Sequence, residues 1–277
     1  MNIAVLGAGA WGSAIASSFA ATQLHRVTLW GREAEVIAQL RRDGINHRYL
    51  PNIPLDAAVQ YSDDLNQTLS THTSPDDLLI LATPIAGLRD ISRKIAAHSR
   101  QANGTRAAVI WLCKGVERET HLFPHQIVSA ELPPETPFGV LSGPSFAQEV
   151  AHKLPCALVL ASSFDALDLG FVQKLSNPYL RIYHSSDVIG VELGGAHKNV
   201  LAIAAGISDG LKLGMNARAA LLTRGIAEMR RFANALGANP DTISGLTGVG
   251  DLILTATGDL SRNRTVGLQL AQGKALD

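Results

Sequence analysis

The chain has 277 residues, 46% hydrophobic and 5% aromatic, with 24 basic and 24 acidic side chains and no formal net charge. This composition fits a globular α/β protein of one large domain or two, and the balanced charge argues against nucleic acid or an anionic membrane surface as the main partner. No run of roughly 18 apolar residues is present to insert in a bilayer, and Cys113 and Cys156 lack metal-ligand spacing, so they read as thiols of a reducing, cytoplasmic compartment.

The opening "MNIAVLGAGAWGSAIASSFAA" lacks a positive n-region and is interrupted by glycines, which excludes a signal peptide. Within it "NIAVLG" reads as a buried strand and "AWGSAIASSFAAT" as a helix packed through small residues. "HRVTLWG" follows as a strand and "EAEVIAQLRRDG" as a helix stopped by Gly44. "DDLLILATP" and "RAAVIWLCKG" are continuous apolar strands flanking the helical "AGLRDISRKIAAHS". "PFGVLSG" is a strand and "FAQEVAHK" a short helix, with Ser145 and Gln148 at capping-box spacing. "CALVLAS" and "LRIYHS" are strands separated by the helical "FDALDLGFVQKLS". Asn66, Asn103 and Asn263 open N-x-T sequons, chance matches in a cytosolic chain.

Alternating strands and helices imply right-handed crossovers and a mainly parallel sheet. Beyond Ser186 the pattern turns helical, through "DVIGVELGGAHKNVLAIAAGISDGL", "ARAALLTRGIAEMRRFANALG" and "DLILTATG". The expected fold is therefore α/β: a Rossmann-type domain over residues 1–187 and an all-α domain over 188–277. The final "AQGKALD" reads as helix, so a further C-terminal piece is expected.

"GAGAWG" has G-x-G-x-x-G spacing after a strand and at the start of a helix, the context that makes the motif informative. Gly7 allows the tight turn, Gly9 lets the backbone approach a pyrophosphate, and Gly12 lets helix and strand pack. The helix N-terminus, at Ala10 and Trp11, then faces the phosphates. After the second strand comes "WGRE", with Arg32 where an acid commonly binds the ribose of NAD. A guanidinium suits a 2′-phosphate, so NADP is favoured over NAD; Glu33 leaves NAD open. Arg32 also reads as a solvated helix-start arginine.

Two features fall at strand ends, where open α/β sheets bind ligands. Lys114 of "WLCKG" is either a site residue or an exposed loop lysine, and the Gly143–Ser145 turn of "LSGPSF" is either a site or a capped turn. In "LGGAHKNVLA", Lys198 leans back over Gly194 and Gly195, whose missing side chains leave room for a ring or small substrate. The alternative is a lysine snorkelling from a packed helix, with the glycines serving helix contact. His197 and Asn199 point to other faces, and His197 reads as structural. Asp251 opens an apolar helix, and Ser261, Arg262 and Asn263 offer a hydroxyl, a guanidinium and an amide that suit a phosphate or cap a helix.

Taken together, "GAGAWG", "NHRYLP", "CKG", "SGPSFAQEV", "ELGGAHKNVLAIAAG", "GVGDLILT" and "SRNR" resemble, in order, the bacterial NAD(P)-dependent glycerol-3-phosphate dehydrogenases over residues 1 to about 267. The resemblance implies Lys198 as general base toward the substrate hydroxyl and Lys114 in contact with both cofactor and substrate. It implies that Gly143, Ser145, Asp251, Ser261, Arg262 and Asn263 line the glycerol phosphate pocket. Ala147, Arg262, Trp11, Arg32 and Tyr49 are implied to touch the nucleotide. The implied reaction interconverts dihydroxyacetone phosphate and sn-glycerol 3-phosphate for phospholipid synthesis. Oxidation requires a neutral Lys198; the apolar helix and Lys114 are expected to lower its ordinary value of about 10.4 by about three units, roughly 4 kcal/mol. A homodimer is allowed, though no residue specifies it. The rival readings are a 3-hydroxyacid or 6-phosphogluconate-type dehydrogenase and a non-catalytic NADPH-sensing protein.

Overall fold

The computed structural model describes residues 1–101 and 104–275. The sequon at Asn103, and Leu276 and Asp277 of the tail, lie outside the described residues. The chain forms two compact units, Met1–Leu141 with Ser145–His184, and Ser142–Pro144 with Ser185–Asp277.

The first unit is built on β1 (Asn2–Leu6), α1 (Ala10–Ala20), β2 (Arg26–Trp30) and α2 (Ala34–Asp43). A short antiparallel ribbon follows, β3 (Ile45–Asn46) with β4 (Leu50–Pro54), then β5 (Gln60–Ser62) and α3 (Leu65–Ser70). Next come β6 (Leu78–Leu81), α4 (Ile85–Ser99), β7 (Ala108–Trp111), α5 (Pro124–Glu131), β8 (Phe138–Ser142) and α6 (Ala147–Ala151). β9 (Cys156–Ala161), α7 (Leu169–Leu175) and β10 (Leu180–Ser185) complete it. The eight-stranded sheet runs β10-β9-β8-β7-β6-β1-β2-β5. Pairing is parallel at β5–β2, β2–β1, β1–β6, β6–β7 and β7–β8. In β1 every residue from Ile3 to Leu6 is buried, as a central parallel strand covered on both faces requires. Its neighbours are in register with it, Ile3 opposite both Val27 and Leu78.

Three local expectations need correction. The short helix after "SGPS" starts at Ala147 with Phe146 as its N-cap, so the extended backbone runs one residue further than the spacing of Ser145 and Gln148 suggests. "FDALDLGFVQKLS" is not one helix, because Asp168 interrupts it and caps α7 by accepting from the Phe171 N–H at 2.9 Å. Among the described residues of "AQGKALD" only Ala271 is helical, and Gly273 takes a left-handed φ of 80°. Gly44 does stop α2, at φ 65°.

In the second unit, α8 (Val188–Gly210) packs against α9 (Met215–Ala235), α10 (Asp251–Thr257) and α11 (Arg262–Ala271). Asp187 caps α8, accepting from the Gly190 N–H at 2.9 Å. α8 and α11 cross at glycines: a Cβ on Gly206 would meet the Arg264 carbonyl oxygen at 2.2 Å, and one on Gly267 the Ile203 oxygen at 2.1 Å. Only bare backbone fits there. Among the described residues, no helix is long and apolar enough to cross a membrane.

Candidate active site

The glycine turn at the carboxyl end of β1 is built as a nucleotide cradle. Gly7 has φ 135°, and a Cβ on it would lie 2.7 Å from the Ala82 oxygen at the end of β6. A Cβ on Gly12 would lie 1.9 Å from the Gly7 oxygen, so helix and turn touch through backbone. Around Gly9, the N-cap of α1, a Cβ would meet nothing within 4 Å. That open side is where a pyrophosphate can approach the first N–H groups of the helix. Ala10, Trp11 and Ala147 are half-buried and pack against the same core, while Arg32 is exposed just beyond β2. A separate concavity lined by Met1, Leu24, His25 and Arg26 opens at the amino-terminal ends of β1 and β2 and holds none of the expected site residues.

Asn46 anchors the turn, and the sequence reading missed it. Fully buried, it donates from Nδ2 to the Ala8 oxygen and to Ser13 Oγ, both at 2.8 Å. Its Oδ1 accepts from the Tyr49 N–H at 3.1 Å. The only signal was an amide in "NHRYLP", a motif otherwise noted for its tyrosine. Tyr49 does not stand alone either: its hydroxyl donates to Glu33 Oε1 at 2.7 Å. This bond to a carboxylate, the largest influence on the phenol, raises its pKa.

Lys114 is half-buried at the end of β7, in a loop tied back to α4. Arg89 of α4 grips Glu117 with two bonds, at 2.9 and 2.6 Å, and reaches Glu131 of α5 at 2.5 Å. The Arg89 guanidinium first, and the Thr120 hydroxyl second, hold the Glu117 carboxyl down to about 2.

In the second unit the structure brings Lys198 and Asp251 together. Nζ donates to Asp251 Oδ1 at 2.5 Å and to Thr255 Oγ1 at 3.0 Å. The lysine side chain is 12% exposed and the aspartate 1%. Asp251 and Thr255 stand one turn apart on α10, and the Thr255 hydroxyl donates to the Asp251 carbonyl at 2.7 Å. Gly194 shows why the glycines precede the lysine. A Cβ there would lie 2.5 Å from the Thr247 oxygen. Gly194 therefore admits the π-turn Leu246–Gly250, which leads into Asp251. A Cβ on Gly250 would lie 3.8 Å from Pro144 Cγ, so Pro144 of the "SGPS" turn borders the same segment, with Gly143 and Ser145 on either side of it in the chain.

The environment of Lys198 differs from the apolar one expected. A carboxylate at hydrogen-bond distance stabilises the ammonium, not the neutral amine.

The "SRN" segment divides its roles. Ser261 is buried and caps α11, accepting from the Arg264 N–H at 3.2 Å. Arg262 is exposed in the first turn. Asn263 Nδ2 donates to Asn199 Oδ1 at 2.7 Å, so Asn199 joins the constellation by holding Asn263. Arg264 fastens the start of α11 to Asp209 of α8 through bonds of 3.0 and 2.8 Å. His197 faces Phe232 of α9, ring centroids 4.8 Å apart, and burial lowers its pKa. Among the described residues no group of three His, Cys, Asp or Glu is placed to hold a metal ion.

A Rossmann-type sheet with a dinucleotide turn, joined in one chain to a helical unit carrying a lysine–aspartate pair, defines a nicotinamide-dependent dehydrogenase. Residues 2–167 match the model for the N-terminus of NAD-dependent glycerol-3-phosphate dehydrogenase, and residues 187–277 match its C-terminus. The chain belongs to the NAD-dependent glycerol-3-phosphate dehydrogenase family. It is 53% identical to a glycerol-3-phosphate dehydrogenase (NAD(P)+) of Ralstonia nicotianae, over 100% of this chain and 81% of that protein. It is also 53% identical to one of Burkholderia orbicola, over 100% and 82%. The crystal structure of a glycerol-3-phosphate dehydrogenase from Coxiella burnetii superposes with a TM-score of 0.89 at 40% identity, covering 99% of this chain and 81% of that one.

Proposed function

We propose that the chain reduces dihydroxyacetone phosphate to sn-glycerol 3-phosphate, reversibly, with NADPH as preferred coenzyme and NADH as the alternative. The Lys198–Asp251–Thr255 cluster is the observation that carries this reading, because it presents a nearly buried ammonium with two oxygen partners. Gly7, Gly9, Ala10, Trp11 and Gly12 hold the pyrophosphate, and Arg32 takes the 2′-phosphate, with Tyr49 and Ala147 beside the nucleotide. The bound nicotinamide supplies the hydride. Lys198 Nζ gives its proton to the alkoxide oxygen that forms at the substrate carbonyl carbon, and Lys114 stabilises the negative charge as it develops. Asp251 orients the amine and compensates its charge before transfer. Gly143, Ser145, Ser261, Arg262 and Asn263 receive the phosphate and hydroxyl groups of the three-carbon substrate.

In the cell this activity supplies the glycerol phosphate backbone of phospholipids, in the cytoplasm, without nucleic-acid or membrane partners. Residues 1–187 act as the nucleotide domain and 188–277 as the substrate domain; a homodimer is compatible with this reading, which sedimentation equilibrium checks. The enzymatic test is NADPH and NADH consumption with dihydroxyacetone phosphate against a panel of 3-oxo acids. Turnover confined to dihydroxyacetone phosphate, faster with NADPH, is expected. Turnover only on oxo acids, or nucleotide binding without oxidation of either coenzyme, overturns the assignment.

A further inference from the structure

An ionised carboxylate just past the second Rossmann strand accepts from a ribose hydroxyl and repels a 2′-phosphate. Glu33 stands beside that place, as N-cap of α2 directly after Arg32. Both its oxygens are engaged by one short arm, the connection between β3 and β4. Tyr49 donates to Oε1 at 2.7 Å, and Arg48 Nη1 is ion-paired with Oε2. The Arg48 guanidinium also lies over the Tyr49 ring, 5.1 Å from its centroid. The arm is in turn pinned to the glycine turn, since Asn46 binds Ala8, Ser13 and the Tyr49 backbone at once. Arg48 is therefore placed by the same framework that places the nucleotide cradle.

Resting on the reading of Arg32 as the 2′-phosphate residue, we propose that Arg48 sets coenzyme choice by neutralising Glu33. With the pair intact, a 2′-phosphate meets a compensated carboxylate beside Arg32. With Arg48 removed, Glu33 is an uncompensated anion that opposes NADPH and is free to accept from the ribose of NADH. Arg48 is a positioning and charge-compensating residue in this account, not itself the phosphate ligand. Its side chain is 61% exposed, so the effect is modest and weakens with salt.

The test measures dissociation constants of NADPH and NADH by nucleotide fluorescence at low ionic strength. Wild type, R48Q, E33Q and the double variant are compared, with melting temperatures for each. R48Q is expected to weaken NADPH about fivefold while NADH changes less than about twofold. E33Q on the R48Q background is expected to restore the wild-type ratio to within about twofold. A double variant as weak toward NADPH as R48Q makes Arg48 a direct phosphate ligand and overturns the proposal, as does equal weakening of both nucleotides. Should R48Q melt too low for titration, E33Q alone decides: a shift toward NADPH supports the proposal, and an unchanged ratio defeats it. Failure of the underlying reading is seen separately, as a wild type that binds NADH more tightly than NADPH.

Discussion

At the scale of single residues, the decisive contact is the 2.5 Å bond between Lys198 and Asp251, the aspartate being 1% exposed. Removing one partner of a buried pair costs about 3–5 kcal/mol. Lys198→Ala is thus expected to lower stability by about that much in thermal or urea unfolding, and K198A/D251A to recover part of it. Thr255→Val removes a hydroxyl that both accepts from the amine and donates to the Asp251 carbonyl. It is expected to lower kcat by about tenfold or more with little change in NADPH affinity. The lysine stood out in its segment, which alone left a snorkelling reading open, whereas Thr255 gave no signal: it lies 57 positions away and meets the amine only because α8 and α10 pack. Asn199 was hidden for the same reason, since its partner Asn263 is 64 positions on. His197 gives the residue-scale pH prediction. Burial lowers its pKa, so the folded state favours the neutral ring and binds fewer protons than the unfolded chain near pH 6.5. Stability from this group is present above about pH 6.5 and falls as pH drops below it. His197→Leu should flatten that slope in urea titrations; an unchanged slope assigns it elsewhere.

Among the elements, backbone-to-backbone approach sets the geometry of the helical unit. A Cβ on Gly267 would sit 2.1 Å from the Ile203 oxygen, a clash no rotamer relieves. Gly267→Ala is expected to cost about 3 kcal/mol in urea unfolding. Gly194→Ala would push the 246–250 turn off α8, so its loss of activity should exceed its loss of stability. In the sheet unit, the Arg89–Glu117 pair ties the Lys114 loop to α4. The Glu117 carboxyl is depressed to about 2, so its contribution is present above the ordinary carboxylate value near 4.3 and lost as pH falls toward 2. Arg89→Ala should loosen the loop, raising KM for dihydroxyacetone phosphate more than it raises the NADPH dissociation constant. Seven strands of the eight-stranded sheet were legible between breakers, whereas the edge strand β5 was not, because "QYS" is three residues long and mostly polar. The β3–β4 ribbon was not: "INHRYLP" is too short and polar to show a period, and its place depends on Asn46, which only the folded glycine turn can satisfy.

For the whole molecule, a chain without net charge has no long-range field to draw anionic substrates, so recognition rests on local groups. The groups proposed for it are divided: the dinucleotide turn, Arg32 and Lys114 belong to one unit, and Lys198, Asp251 and the 261–263 segment to the other. The family's order of motifs was visible along the sequence because each motif is locally compact. The pairing of Lys198 with Asp251 was not, because it depends on tertiary packing. The most direct measurement is the single-turnover rate of NADPH oxidation by saturating dihydroxyacetone phosphate, in wild type and in Lys198→Met. The account predicts a fall of about a thousandfold or more in the variant, with the NADPH dissociation constant unchanged. A variant rate within about tenfold of wild type would contradict it.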